Sequence, residues 1–398
     1  MIDKLLQKNV QEFIEQHAQG DEQQVLLRHK TIFDIPASLI AWQISGRRKA
    51  KTKIQLYYNS KNIIYPPGLN LEQSSSEETA TFKASVLSEN VDPKNLLIDL
   101  TGGFGIDSLF LSKIFNQVTY IEPNADLIEY AKHNHQALGA DNIEYINSNA
   151  EDFLNSFTGK ADCFFIDPSR RTGSNQKVFK LADCEPNVVS LLPQIFNHSA
   201  HLLVKAAPLL DLQQGLLELE TVKNVWIVSV KNEVKELLFL CEKGFHDSPI
   251  ITAVNLSSDQ QSFSFKLSEE KNTQTSLSDP LSYVYEPNAS ILKAGAFKII
   301  GETFSLQKLQ SSTHIYTSDK LINEFPGRIF KTEGFPKADP KSIVPFFPNG
   351  KANVITRNYP LSPDELKKKL KLQDGGEKYL IGCSGEKQKF LIAAERLK

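Results

Sequence analysis

Cysteine is scarce: four in 398 residues (Cys163, Cys184, Cys241 and Cys383), none of them in a C-x-x-C pair. That excludes a disulfide framework and the usual zinc-ligand spacings, and it fits a reducing cytoplasm as the expected location. No apolar run approaches the roughly 18–20 residues that cross a bilayer, so no membrane partner is expected. The opening Met1-Ile-Asp-Lys-Leu-Leu-Gln-Lys-Asn-Val interleaves charges and amides with apolar residues. It reads as an amphipathic helix and not as a signal peptide. An excess charge of either sign is missing too, since 45 Lys and Arg face 47 Asp and Glu for a net of −2. Any nucleic-acid role must therefore rest on local patches. His133 and His135 lie two apart on an expected helix and diverge, so no metal is assigned.

What is present is organised in segments. A chain of 398 residues exceeds what one core supports, so several domains are expected. Residues 1–70 read as a helical domain, with Leu5, Leu6, Val10, Phe13 and Ile14 at helical spacing. Tyr65-Pro-Pro-Gly68 cannot stay helical and marks its end. From about Asn95, short apolar strands alternate with helices, the pattern of a parallel sheet covered on both faces. Strands are expected near 96–100, 117–122, 143–147, 162–167, 201–206, 225–230 and 236–241. Helices are expected near 105–115, 124–138, 178–196 and 208–220. Only a short polar turn separates the last two strands, so they form an antiparallel hairpin.

This α/β domain, a doubly wound seven-stranded sheet, takes residues 71–250. Ser257 to Pro280 is polar and reads as a boundary. A small α+β unit follows at 281–325, and a second at 326–398. The second holds one clear helix, opened by Ser362-Pro-Asp-Glu365 with an N-cap, a first-turn proline and a capping-box glutamate together.

The chemistry concentrates at strand ends. Leu96-Leu-Ile-Asp-Leu-Thr-Gly-Gly-Phe-Gly-Ile-Asp107 is an apolar strand ending in Asp99. It runs through Thr101, Gly102, Gly103 and Gly105 into a helix, whose unpaired N–H groups and glycine approach suit a ligand. A dinucleotide site competes for this reading, although Ser108 stands where G-x-G-x-x-G needs its third glycine. Glu122 closes the second strand where ribose hydroxyls would donate, which establishes a nucleoside and not its identity. Glu151 and Asp152 follow the third strand, either to read an adenine edge or simply to begin a helix. The fourth strand, Ala161-Asp-Cys-Phe-Phe-Ile-Asp-Pro-Ser-Arg-Arg171, delivers Asp167 and Pro168 to the edge where open α/β sheets bind ligands. Cys163 lies inside that strand and reads as inert core.

With these motifs in this order, residues 70–245 resemble the class I S-adenosylmethionine-dependent methyltransferases, whose sheet is Rossmann-like. Thr119-Tyr-Ile-Glu-Pro-Asn and Tyr130-Ala-Lys-His-Asn are similar to RNA guanine-N2 methyltransferases and their relatives. The whole chain most resembles a bacterial group that carries a ferredoxin-like unit and a C-terminal THUMP-like domain. The resemblance implies S-adenosyl-L-methionine as cofactor, with Asp99 and the glycine turn at the methionine end, Glu122 at the ribose and Glu151 or Asp152 at the adenine. Gln73 and Ser75, beside a helix start in Leu71-Glu-Gln-Ser-Ser-Ser-Glu-Glu-Thr79, suit the methionine carboxylate or plain capping.

In amino-methylating families the fourth-strand motif reads Asp/Asn-Pro-Pro-Tyr/Phe. Asp167 and Pro168 match, whereas Ser169 and Arg170 replace the second proline and the aromatic ring. Arginine planes also stack on bases, and Arg171 is placed for a phosphate. The motif also resembles Asp-Pro-Pro-Arg of uracil-C5 methyltransferases, which need a nucleophilic cysteine; none of the four cysteines sits in a matching motif. Lys205, ending the fifth strand, faces either the pocket or solvent, and Asn232 lies in the hairpin turn at the same edge.

Two basic clusters are either solvated faces or phosphate contacts, and with the THUMP-like resemblance, which implies a structured RNA, they make RNA, tRNA or rRNA, the expected partner. Arg47, Arg48 and Lys49 stand with Lys51, Lys53 and Lys61 in a stretch free of acids, and Lys367, Lys368, Lys369 and Lys371 share the C-terminal helix. The expected activity is methylation of a base nitrogen in such an RNA. The alternatives are a small-molecule or protein acceptor, or a non-catalytic RNA-binding assembly factor.

Overall fold

The computed structural model describes residues 1–398 apart from 19, 21, 171–179, 260 and 261, with every described side chain except those of Leu69 and Arg170. Two compact units divide the chain: Met1–Val222 with Phe239–Phe245, and Lys223–Leu238 with His246–Lys398. Among the described residues no helix is long and apolar enough to cross a membrane.

The first unit opens with helices. The helix Ala37–Lys53 buries Ala37, Ile40 and Ile44 against Leu5, Val10, Ile14 and Val25. Beside it, β1 (Thr31–Ile32) pairs with β2 (Ile35–Pro36). Gly46 is required where it stands, because a Cβ there would meet the Tyr65 side chain at 2.3 Å. The proline-rich exit cannot bond to itself, so two buried amides replace a strand partner. Gln43 bonds both the N–H and the carbonyl of Tyr65, at 2.9 and 2.8 Å. Asn134 does the same for Ile64, also at 2.9 and 2.8 Å.

The sheet strands follow in the expected order: β3 (Leu96–Asp99), β4 (Gln117–Ile121), β5 (Ile143–Ile146) and β6 (Cys163–Ile166). A short hairpin of β7 (Ser169–Arg170) and β8 (Cys184–Glu185) precedes the helix Val188–His198 and β9 (His201–Ala206). Part of the helix expected over 178–196 is therefore this hairpin strand and a short 3-10 turn at Leu181–Asp183, and residues 178 and 179 lie outside the described residues. Strand order β9-β6-β3-β4-β5 is parallel throughout. The chain winds outward from β3 through β4 to β5, then returns to β6 on the other side. That reversal makes the carboxyl ends of β3 and β6 the topological switch point, where such sheets bind ligands.

Two strands beyond the expected seven extend the sheet to nine, in the order β13-β12-β10-β11-β9-β6-β3-β4-β5. These labels cover β10 (Val222–Val230), β11 (Glu233–Glu242), β12 (Ile250–Leu256) and β13 (Phe263–Lys266). Lys231 and Asn232 join β10 to β11 with φ of 50° and 64°. Two left-handed central residues make the tight turn whose twist suits a hairpin.

The second unit holds a seven-stranded sheet of β14 (Tyr283–Pro287), β15 (Gln307–Gln310), β16 (Thr313–Ser318), β17 (Gly327–Gly334), β18 (Asn353–Arg357), β19 (Lys378–Ser384) and β20 (Lys389–Arg396). Its order is β15-β16-β14-β17-β20-β19-β18. Three strands separate β14 from β18, yet Arg357 of β18 lies 2.5 Å from Glu286 of β14. The sheet therefore curls on itself around Val284, Phe330, Ile355, Ile381 and Ile392. Glu286 is 2% exposed and also holds Arg328 of β17, so one carboxylate latches two arginines across the mouth of the curl. The capped helix expected near 362–372 spans Pro363–Leu370, with its capping box formed.

Candidate functional site

At the end of β3, Asp99 is 1% exposed and accepts two hydrogen bonds, from Thr101 N at 3.0 Å and Ser108 Oγ at 2.5 Å. Burial outweighs both and pushes its carboxyl up to about 7. The glycine turn is fixed from several sides. Gly102 N donates to Ile121 O at 2.8 Å, and Tyr120 OH donates to Gly103 O at 2.5 Å. A Cβ on Gly102 would lie 2.2 Å from the Tyr120 ring, so that position admits only glycine. Gly105 has φ of 82° and caps the following helix Ile106–Leu111.

Beneath Gly105 lies His135, fully buried and missed by the sequence reading, which took it only as half of a poor metal pair. Its Nε2 sits 2.9 Å from Gly105 O, and its Nδ1 2.8 Å from Tyr145 OH. A carbonyl only accepts, so Nε2 carries the proton and Nδ1 accepts from the tyrosine. Burial lowers the imidazole to about 4, so it stays neutral and acts as a prop for the turn.

Glu122, just past the end of β4, uses both oxygens on backbone: Oε2 accepts from Gly103 N and Oε1 from Asn124 N, each at 2.9 Å. Burial raises its carboxyl above the ordinary range. Each oxygen keeps a second lone pair, so a ribose diol still has acceptors here.

Asp167, one residue past β6, is tied back to this turn by its backbone N, which donates to Thr101 Oγ1 at 2.7 Å. Its carboxylate forms an ion pair with Lys205 at the end of β9, and Lys205 Nζ also lies 4.0 Å from Asp107. Lys205 therefore faces the switch point and not solvent. Asp107 is held in turn by Lys83 Nζ at 3.2 Å and Ser75 Oγ at 2.6 Å, and these partners offset its burial to keep its carboxyl below the usual range. Lys83 is wholly buried. It looks in sequence like any helix lysine, and only the fold reveals its partner.

The remaining expected residues differ in burial and in partners. Ser75 is buried on Asp107, and Gln73 is exposed at the end of its helix. Glu151 and Asp152 are both exposed at a helix start, with Asp152 bonded to the N-cap Asn149. Pro168 is buried, and Ser169 is exposed with its hydroxyl donating to Glu185 O at 3.3 Å. Arg170 is placed by backbone alone, opposite Cys184 in the β7–β8 pair, and Arg171 lies outside the described residues. In the second unit, Asn232 Oδ1 accepts from Ala289 N at 2.7 Å, so its side chain is engaged at the start of the helix Ala289–Ala294.

The first basic cluster carries its own counter-ions: Arg47 with Glu15, Arg48 with Glu22 and Lys49 with Glu72. Acids distant in sequence thus occupy the three residues expected to meet phosphate. In the C-terminal cluster Lys367 is paired with Asp364 and Asp374, whereas Lys368, Lys369 and Lys371 are exposed.

Family models match a ferredoxin-like domain at residues 283–326 and a THUMP domain-like unit at 327–396. A uracil-C5 methyltransferase of tRNA and tmRNA from Photorhabdus laumondii is 26% identical over 206 residues, covering 45% of this chain and 54% of the relative. An uncharacterised RNA methyltransferase from Mycoplasma mobile is 28% identical over 152 residues, covering 38% and 39%. The chain thus spans between about two-fifths and about half of these curated relatives' length. A crystal structure of a candidate methyltransferase from Porphyromonas gingivalis W83 is 30% identical, covers 97% of each chain and superposes with a TM-score of 0.85. Similarity of that extent, together with the two small C-terminal matches, shows that the chain belongs to the family of the Porphyromonas gingivalis protein, methyltransferase-like α/β proteins with ferredoxin-like and THUMP-like domains.

Proposed function

We propose that the chain transfers the methyl group of S-adenosylmethionine to a base nitrogen of a structured RNA. The observation that carries this reading is the set of three carboxylates, Asp99, Glu122 and Asp167, at the carboxyl ends of the adjacent strands β3, β4 and β6 respectively, around one glycine turn. The cofactor supplies an electrophilic methyl group on a cationic sulfur, so the protein's work is positioning and charge. Asp99 and the turn Thr101–Gly105 bind the methionine end, whose ammonium favours the ionised carboxylate. Glu122 binds the ribose, and Glu151 or Asp152 the adenine. Asp167 orients the acceptor.

An RNA acceptor draws support from charge as well as from the names of the relatives. Residues 327–398 contain fifteen Lys and Arg against eight Asp and Glu, a net of +7 in a chain whose total is −2. Such asymmetry is the footprint of phosphate contacts. The proposed organisation is a helical domain at 1–70, the catalytic domain at 71–250, and small units at 281–325 and 326–398 that present RNA. Calorimetry tests the cofactor reading directly: the protein binds S-adenosylmethionine and S-adenosylhomocysteine. Binding of NADH with none of adenosylmethionine would overturn it.

A further inference from the structure

Asp167 has a cationic partner that the amino-methylating pattern does not call for. In that pattern the acceptor group meets an acid and a backbone carbonyl, both of which only accept hydrogen bonds. Here Lys205 Nζ is ion-paired with Asp167 and is itself largely buried, its side chain 11% exposed. Asp107 lies farther off, at 4.0 Å, and already holds Lys83 and Ser75. The site thus offers an acceptor and a donor side by side on the ends of two adjacent strands, β6 and β9.

We infer that the methylated group is a ring N–H beside a carbonyl, the lactam edge of guanine or uracil, and not an exocyclic amine. This rests on the proposed RNA methyl transfer. A lactam presents one donor and one acceptor together, which matches Asp167 and Lys205. Charge at the site favours the same acceptor. When a neutral amine attacks methyl, positive charge builds on nitrogen, and a desolvated ammonium nearby opposes it. When a lactam nitrogen attacks, its proton passes to the Asp167 carboxylate and the nitrogen electron pair forms the new N–C bond. The C–S bond breaks with its electrons going to sulfur, leaving a neutral thioether. Negative charge that builds on the carbonyl oxygen during proton loss meets Lys205, which is where fixed charge is most effective. Asp167 then releases the proton to solvent. Lys205 is accordingly a catalytic residue for this acceptor.

The test uses the full-length protein, S-adenosylmethionine, and total RNA from cells lacking the gene, with nucleosides identified by mass spectrometry. The expected product carries methyl on N1 of guanine or N3 of uracil. Lys205→Met lowers turnover on the order of a hundredfold. That deficit shrinks as pH rises toward the lactam's own ionisation, because the substrate then needs less help to lose its proton. Lys205→Arg, which keeps charge and donors, recovers most of the activity. Retained cofactor binding by calorimetry shows that each variant is folded. A product methylated on an exocyclic nitrogen, on carbon or on ribose overturns this inference alone. So does wild-type turnover by a folded Lys205→Met protein, or a deficit that is flat in pH. Cofactor binding with no methyl transfer to any RNA overturns the proposed function, and this inference with it.

Discussion

Replacing Asp99 by Asn makes the sharpest stability test, because the change is nearly isosteric and removes the ionisation while exchanging one acceptor for a donor. In the unfolded chain this carboxyl titrates at its ordinary 3.8; in the folded protein burial holds it up to about 7. Between those values the folded state binds more protons than the unfolded state, so stability falls as pH rises, and the loss is complete above about 7. Each pH unit in that window is worth about 1.4 kcal/mol. From pH 5 to pH 7 the group alone removes roughly 2–3 kcal/mol, or on the order of 5–10 °C in the melting of a unit this size. Asn keeps an acceptor for Thr101 N and gives Ser108 Oγ a donor in place of its short bond to the carboxylate. The expected outcome is a flatter pH profile and a melting temperature above the parent's at pH 8. Differential scanning fluorimetry from pH 5 to pH 8 without ligand measures both. A variant with the parent's slope, or one less stable than the parent at pH 8, would refute the reasoning. The same titration gives ligand linkage: cofactor affinity rises with pH up to about 7, by at most about tenfold per unit, because a bound ammonium needs the ionised carboxylate.

Three further outcomes follow from the geometry. Glu122→Ala weakens adenosylmethionine and adenosylhomocysteine together by about 1.5–3 kcal/mol in calorimetry, the scale of hydrogen bonds to a charged group; equal binding by parent and variant contradicts the ribose role. Lys83→Met strands Asp107 with its charge uncompensated, and chemical denaturation records a loss of about 3–5 kcal/mol, whereas an unchanged midpoint means that Lys205 suffices. Lys368, Lys369 and Lys371 changed together to Ala lower the slope of log RNA affinity against log salt by up to about 2–3; the Arg47, Arg48, Lys49 triple change lowers it less, because those three already hold acids.

How far the sequence carried depended on whether partners were near in the chain. The strand–glycine turn–helix at Leu96–Leu111 is local, and so is the β6 end at Asp167, and both stand where the pattern put them. The tight β10–β11 turn was legible from its length alone. Lys83 was not, because its counter-ion is Asp107 on another helix and a helix lysine ordinarily meets water. Ser75 read as either a carboxylate ligand or a cap, and its bond to Asp107 joins residues too far apart in the chain for that reading to show. The paired arginines at 47 and 48 looked free because Glu15 and Glu22 lie more than a helix away. At Phe263-Ser-Phe-Lys266 the alternation of buried and exposed residues is that of a half-buried strand. The polar composition around it outweighed that signal, so the region read as a boundary.

The central claim is that Asp167 works on an RNA base while the cofactor is held elsewhere. The most direct measurement incubates wild-type and Asp167→Ala protein with RNA from cells lacking the gene and methyl-labelled S-adenosylmethionine, and counts label in purified nucleosides. The account predicts label in one nucleoside with the wild type, and at least a hundredfold less with the variant, whose cofactor affinity stays close to the parent's. Equal labelling by the two proteins, or none by the wild type, would contradict it.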